Sequence, residues 1–116
     1  MNDSLILKTA SGKLDSDCFI RLFEEIIFSF TVYQRKNIIC DFREAQFNPE
    51  SMGELIHIAT EMTKYRLVLT GKIAHVASDA GSQARIAMNL AKALALKGFN
   101  YKIFIDMEEA RQWVVG

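Results

Sequence analysis

The chain has 116 residues, the size of one ordinary domain, and 50% of them are hydrophobic. That share is enough for a packed core and excludes a disordered chain. Fourteen basic and fourteen acidic residues cancel, so the charge count favours binding neither to nucleic acid nor to an anionic membrane. No uncharged apolar stretch is long enough to predict a transmembrane helix.

The two cysteines, Cys18 and Cys40, fall in a predicted helix and a predicted strand. Neither has a second Cys or a His at metal-ligand spacing, so we expect no metal site and no cofactor. With reduced thiols and no export signal at the start of the chain, the sequence predicts a cytoplasmic protein.

Strand-like and helix-like segments alternate in the first part of the chain. Leu5–Thr9 predicts a short strand, closed by the Ser-Gly turn at 11–12. Asp15 predicts the cap of a helix that runs to about Tyr33. Asn37–Phe42 is a β-branched run too short for a helix and predicts a buried strand.

The alternation continues with a second helix and a third strand. Asn48 and Pro49 form a helix-start signal, and that helix is expected to reach about Lys64. The core positions expected on this second helix are Leu55, Ile58, Ala59 and Met62. Lys72–Ala77 predicts the third strand.

The last part predicts a helix, a strand and a closing helix. The third helix is expected over Ser82–Lys97 and to stop at Gly98, and Tyr101–Ile105 predicts the last strand. Asp106 begins the final short helix with a sequence similar to a capping box. The order β-α-β-α-β-α-β-α predicts a single-domain α/β fold, a small, mostly parallel four-stranded sheet flanked by helices.

Polar residues follow two of the predicted strands, where ligands bind in open parallel sheets. A helix start preceded by Ser, Asp and Gly offers free N–H groups to an anion, and two arginines could add charge. Helix capping and one ion pair would explain the same residue types. The candidate ligand-binding residues are Asp41, Arg43, Ser78, Asp79, Gly81, Ser82 and Arg85.

Evidence for catalysis is weak, because no nucleophile, metal or paired-carboxylate motif is present. One catalytic hypothesis would use His75 with Asp41 or Asp79. A histidine within a strand is more often a hydrogen-bonded core residue. We therefore predict no enzyme and assign no catalytic residue.

Two features suggest a partner surface. Phe28 and Val32 are apolar residues on the charged side of their predicted helix. The third helix carries a band of mostly small residues beside its core stripe, and tight packing within this protein would explain that band equally well. The band comprises Ala84, Ala87, Met88, Ala91 and Ala95.

Residues 71–114 resemble the C-terminal half of the bacterial STAS-like (anti-sigma-factor-antagonist-like) domains. The resemblance rests on a Gly-Lys strand start, a Ser-Asp turn, an arginine in the next helix and an acidic, Trp-bearing ending. The matching positions are Gly71, Lys72, Ser78, Asp79, Arg85, Phe104, Asp106, Glu109, Ala110 and Trp113. The upstream segments, SGKLDSDCFIRLFEEI and NIICDFREAQF, are similar to the first half of the same family.

The resemblance implies a regulatory or scaffold module that binds a protein partner, and we expect a homodimer. A carrier of a small anionic or lipid-like ligand is the alternative. Antagonists of this family carry a phosphorylatable serine after the central strand. Ser51 is the nearest match here, in a segment without the family's Asp-Ser pair, and a phosphate there would face a helix N-terminus.

Overall fold

The computed structural model describes residues 5–28, 37–47, 52–79 and 81–116. Strands and helices alternate through them, as the sequence predicts, with a short 3-10 turn at Thr63–Tyr65. The elements are β1 (Leu5–Leu14), α1 (Ser16–Phe28), β2 (Asn37–Phe47), α2 (Met52–Met62), β3 (Lys72–Val76), α3 (Gln83–Leu96), β4 (Asn100–Phe104) and α4 (Met107–Val115). No helix within the described residues is long and apolar enough to span a bilayer.

The four strands form one sheet in which every neighbouring pair is parallel. Their order in the sheet is β1-β2-β3-β4, the same as their order in the chain. The predicted fold class is therefore confirmed. Because β1 and β4 each pair with one strand only, they are the edges of the sheet.

Helices cover the two faces of the sheet unequally. On one face α2 packs against both α1 and α3, and on the other α4 packs against β2, β3 and β4. Successive strand residues point to opposite faces, so β2 supplies Ile38 to the larger cluster under α1–α3 and Ile39 to the smaller cluster under α4. The smaller cluster also contains Val76, Phe104 and Val114.

The predicted helix stripes form the larger cluster. All four positions predicted on α2 are buried. On α1, Phe19 and Phe23 are fully buried, and their rings lie 5.2 Å apart. Ala87, one of the small residues of the third helix, is also buried in this protein's own core.

Two of the predicted boundaries are wrong. The Ser-Gly pair at 11–12 lies inside β1, because a register shift between Thr9 and Ser11 lets the strand continue beside the extended end of β2. For the same reason β2 does not stop at Phe42 but reaches Phe47. The helix signal at Asn48 and Pro49 and the predicted helix end at Tyr33 lie outside the described residues.

The predicted helix caps are largely confirmed. The Asp15 carboxylate accepts the N–H of Cys18 at 2.8 Å, and that of Asp106 accepts the N–H of Glu108 at 3.1 Å. These bonds satisfy N–H groups that have no partner within a helix. At the C-terminal end of α3, Gly98 adopts a φ of 94° and ends the helix as predicted.

Candidate functional site

Asp41 and Arg43 stand on β2 at the carboxyl end of the sheet and bind each other. The Arg43 Nε and Nη2 atoms each donate to the Asp41 carboxylate at 2.9 Å, and the Arg43 backbone N–H donates to it at 3.1 Å. The hydrogen bond from Arg43 lowers the pKa of Asp41, and the same contact raises the pKa of Arg43. The Asp41 carboxylate and the Arg43 guanidinium therefore already satisfy much of each other's hydrogen-bonding capacity, which a ligand was expected to use.

The other candidate ligand residues lie in the connection from β3 to α3. Gly81 adopts a φ of 61°, and Ser82 is the N-cap residue of α3, with no hydrogen bond from its side chain to the helix. Next to it, the Gln83 Oε1 atom accepts the N–H of Phe47 at 2.9 Å and ties the start of α3 to the end of β2. Ser78 is partly buried, whereas Asp79 and Arg85 are exposed.

The two groups share one edge of the sheet but belong to opposite faces. Asp41 follows Cys40, which points into the cluster under α1–α3, so the Asp41 side chain points to the face covered by α4. The Ser78–Arg85 segment instead leads into α3 on the other face. The predicted polar residues thus lie at the strand ends. Arg43 binds Asp41 on the face that α4 covers.

His75 is a core residue. It is 3% exposed, and its Nδ1 atom lies 2.6 Å from the Tyr101 hydroxyl. Burial lowers the pKa of His75 to about 3, so the imidazole is neutral. Its ring packs 4.4 Å from Phe42 on the α1–α3 face, whereas Asp41 points to the opposite face. The geometry gives no support to a catalytic pair of His75 and Asp41.

The free edge of β4 presents unpaired backbone groups. The Phe104 carbonyl accepts the Ala77 N–H at 2.8 Å, so the backbone of Phe104 faces β3. Backbone direction alternates along a strand, so the N–H and C=O groups of Tyr101 and Ile103 point away from the sheet. Among the described residues, no backbone or side-chain partner contacts these outward groups.

A groove of about 590 Å³ runs beside this free edge. One wall is α3, which contributes Ala84, Met88 and Ala91, and the floor includes Ile103 and Ile105. Lys92, Lys102 and Glu109 add charges at its margins. Met88 and Ile105 are about half exposed, so apolar surface is open to solvent here.

The groove contains three of the residues that the sequence suggested as a partner surface. Ala84, Met88 and Ala91 line it, and Ala95 is an exposed residue further along the same helix. Phe28 is exposed as predicted, but it ends α1, and α2 lies between α1 and α3. It therefore belongs to another part of the surface, and Val32 and Ser51 lie outside the described residues.

Sequence reasoning missed the groove because the groove depends on the position of β4 at the edge. The Tyr101–Ile105 segment predicts a strand equally well at the centre or at the edge of a sheet. The one available signal was Lys102 in the middle of that strand, since a charged residue in a short strand is typical of edges.

Within the residues that the structure describes, no three His, Cys, Asp or Glu side chains gather as ligands of a metal ion. Comparisons of the chain with protein-family models, curated proteins and solved structures give no match.

Proposed function

We propose that this chain is a non-catalytic interaction module of the STAS-like kind, acting as a regulatory or scaffold protein, and that its partner is a second copy of itself. The observation that carries the proposal is the open edge of β4 directly beside an apolar groove walled by α3. The STAS-like motif residues and the parallel sheet support the same class of protein.

Backbone geometry favours an antiparallel pair of β4 strands. With Ile103 of each copy at a two-fold axis, the outward N–H and C=O groups of one Ile103 would pair with those of the other. Tyr101 of one copy would lie opposite Ile105 of the other, the first residue beyond β4. The two four-stranded sheets would then join into one continuous sheet, and the exposed β4 edge of each copy would be covered.

The small residues of α3 fit this arrangement. Ala84, Met88, Ala91 and Ala95 repeat at intervals of four, three and four residues, the spacing of a coiled-coil seam. Because the two-fold axis makes the α3 helices antiparallel, these bands would meet across the axis. Alanine side chains let the helix backbones approach closely enough for the strands to pair.

Charge on the α4 side is complementary to a second copy. Antiparallel pairing around Ile103 places Lys102 of one copy opposite Phe104 of the other, and Phe104 shares the groove with Glu109. Lys102 would therefore face the Glu109 carboxylate of the second copy, twice by symmetry. The carrier alternative has less support, because Arg43 already binds Asp41 with two hydrogen bonds.

Sedimentation equilibrium tests the proposal. We expect the wild-type chain to be a dimer at concentrations on the order of tens of micromolar. Met88→Glu should weaken the dimer by about a hundredfold, because it places a carboxylate in the apolar contact. Ile105→Pro should do the same, because it removes the N–H opposite Tyr101 of the second copy at a position beyond the pairing of β4 with β3.

Ile56→Glu is the matched control, since Ile56 lies on α2 and is 54% exposed, against 52% for Met88. It should leave the dimer intact. A monomeric wild-type chain, or a dimer that tolerates both Met88→Glu and Ile105→Pro, would contradict the proposal.

A further inference from the structure

Four large hydrophobic side chains are far more exposed than any others in the described part of the chain. Phe28 and Leu96 are each 87% exposed, Leu67 is 84% exposed and Val115 is 73% exposed. Phe28, Leu96 and Val115 are the last residues of α1, α3 and α4, and Leu67 follows the 3-10 turn after α2. Three helices thus end with an exposed apolar residue, and the turn that follows α2 carries a fourth.

These ends lie at one edge of the sheet. All strands are parallel, so each helix starts at the carboxyl end of one strand, and α1–α3 return to the amino end of the next. Contacts at the amino end agree: Asn37, the first residue of β2, donates to the Val114 carbonyl at 3.0 Å. A Cβ atom at Gly98 would lie 3.1 Å from the Arg66 side chain, so the turns after α2 and α3 adjoin. We call this region the amino edge.

The balanced total charge conceals two unlike edges. Nine of the twelve acidic residues of the described chain lie at the carboxyl edge: they follow a strand, occupy a first helical turn or, like Asp41 and Glu44, lie on β2 where β3 ends. They are Asp15, Asp17, Asp41, Glu44, Glu54, Asp79, Asp106, Glu108 and Glu109. The described basic residues at that edge are Lys13, Arg43 and Arg85.

The amino edge has the opposite character. It carries Lys64, Arg66, Lys72 and Lys97. Three acidic residues lie nearby, and all have partners: Glu61 pairs with Lys64 at 2.7 Å, Glu25 pairs with Lys8 at 3.3 Å, and Glu24 accepts a hydrogen bond from the Tyr65 hydroxyl at 2.6 Å. Arg66 and Lys97 are exposed beside Leu67 and Leu96. An exposed apolar residue and an exposed cation are therefore adjacent in each of the two turns that follow α2 and α3.

We infer that the amino edge binds the surface of an anionic lipid bilayer. Phe28, Leu67, Leu96 and Val115 would enter the interfacial region, with Arg66 and Lys97 at the level of the lipid phosphates. The acidic carboxyl edge would face away from the membrane, so the charge distribution also orients the molecule. A bilayer suits this edge because single apolar side chains project from separate helix ends and from the turn after α2, whereas the groove suited to a polypeptide runs along α3 beside β4.

Vesicle flotation of the whole chain tests the inference. We expect binding to phosphatidylcholine vesicles that contain about one-third phosphatidylglycerol, weaker binding to pure phosphatidylcholine, and loss of the difference at high salt. The double variant Leu67→Gln/Leu96→Gln should bind the anionic vesicles about tenfold more weakly or worse. Lys97→Glu should reduce binding to anionic vesicles and leave binding to neutral vesicles unchanged.

Ile56→Gln is the matched control, because Ile56 is exposed on α2 away from the amino edge, and it should bind as the wild type does. Absence of wild-type binding, or binding that survives Leu67→Gln/Leu96→Gln, would overturn the inference. A change in the dimer constant of the double variant without vesicle binding would assign this edge to a protein contact and also overturn it. The inference is independent of the β4 dimer, which Met88→Glu tests separately.

Discussion

His75 sits among ionisable groups that are all held neutral in the core. Burial lowers its pKa, raises the pKa of Cys40 and raises that of Tyr101, each because the charged form would lose its hydration. The bond between His75 and the Tyr101 hydroxyl satisfies both groups without a charge. The cost of burying these polar side chains is therefore small as long as none of them ionises.

This arrangement predicts a specific loss of stability in weak acid. The folded pKa of His75 is about 3 and the reference value is 6.5, so the unfolded chain takes up the proton first. The stabilisation is complete above the unfolded pKa and declines as the pH falls toward 3, by about 1.4 kcal/mol per pH unit. Urea unfolding should show a loss of about 2 kcal/mol between pH 6.5 and pH 5.

The two histidines provide a matched comparison for this prediction. His75→Gln should be less stable at neutral pH but should lose little further stability between pH 6.5 and 5. His57→Gln, at an exposed position of α2, should retain the full decline. A decline that persists in His75→Gln would show that another group carries the acid sensitivity.

At the scale of elements, the sequence predicts what local chemistry determines. The cap at Asp15, the stop at Gly98 and the buried stripe of α2 follow from residues close together in the chain, and the structure confirms them. The extension of β1 past Gly12 was not predictable, because pairing with β2 overrides the local turn signal. The candidate ligand residues lie at the sheet edge where the sequence predicts them, but the sequence does not show which partner Asp41 binds, and the structure gives it Arg43.

The end of α3 allows a test of its stop signal. The Gly98 N–H donates to Ala95 and the Phe99 N–H donates to Leu94, the two bonds of a Schellman motif. Gly98→Ala should cost about 1–2 kcal/mol for the left-handed backbone, and more because its Cβ crowds Arg66. Gly98→Asn should cost less from the backbone, since Asn tolerates that conformation.

Gly81→Ala separates the two contributions to this effect. The φ of Gly81 is also positive, and apart from its chain neighbours no atom of the described residues lies within 4 Å of the added Cβ, so the cost of Gly81→Ala reflects the backbone alone. Thermal unfolding of both alanine variants should show the larger loss for Gly98→Ala. Equal losses would mean that the Arg66 side chain moves away freely.

At the scale of the whole molecule, the sheet joins two hydrophobic clusters. Neighbouring residues of one strand, such as Ile38 and Ile39 of β2, enter opposite clusters, so neither cluster can lose its packing without disturbing the strand between them. Which face each helix covers could not be read from the chain. The pattern of α4 shows that it has an apolar side, but the fold is needed to show that, among the described helices, α4 is the one that covers the second face.

The shared strands predict that the chain unfolds in one transition. Trp113 is the sole tryptophan and packs 5.7 Å from Phe104 in the smaller cluster, so its fluorescence reports on α4, while far-ultraviolet circular dichroism reports on all helices. At a fixed protein concentration the two urea curves should coincide. Val114→Ala should lower the stability by about 2 kcal/mol in both curves, because Val114 is buried. Val115→Ala, one residue further, should change it by less than about 0.5 kcal/mol. If the Trp113 transition preceded the dichroism transition, α4 would be a separately unfolding unit, and the sheet would not couple the two clusters.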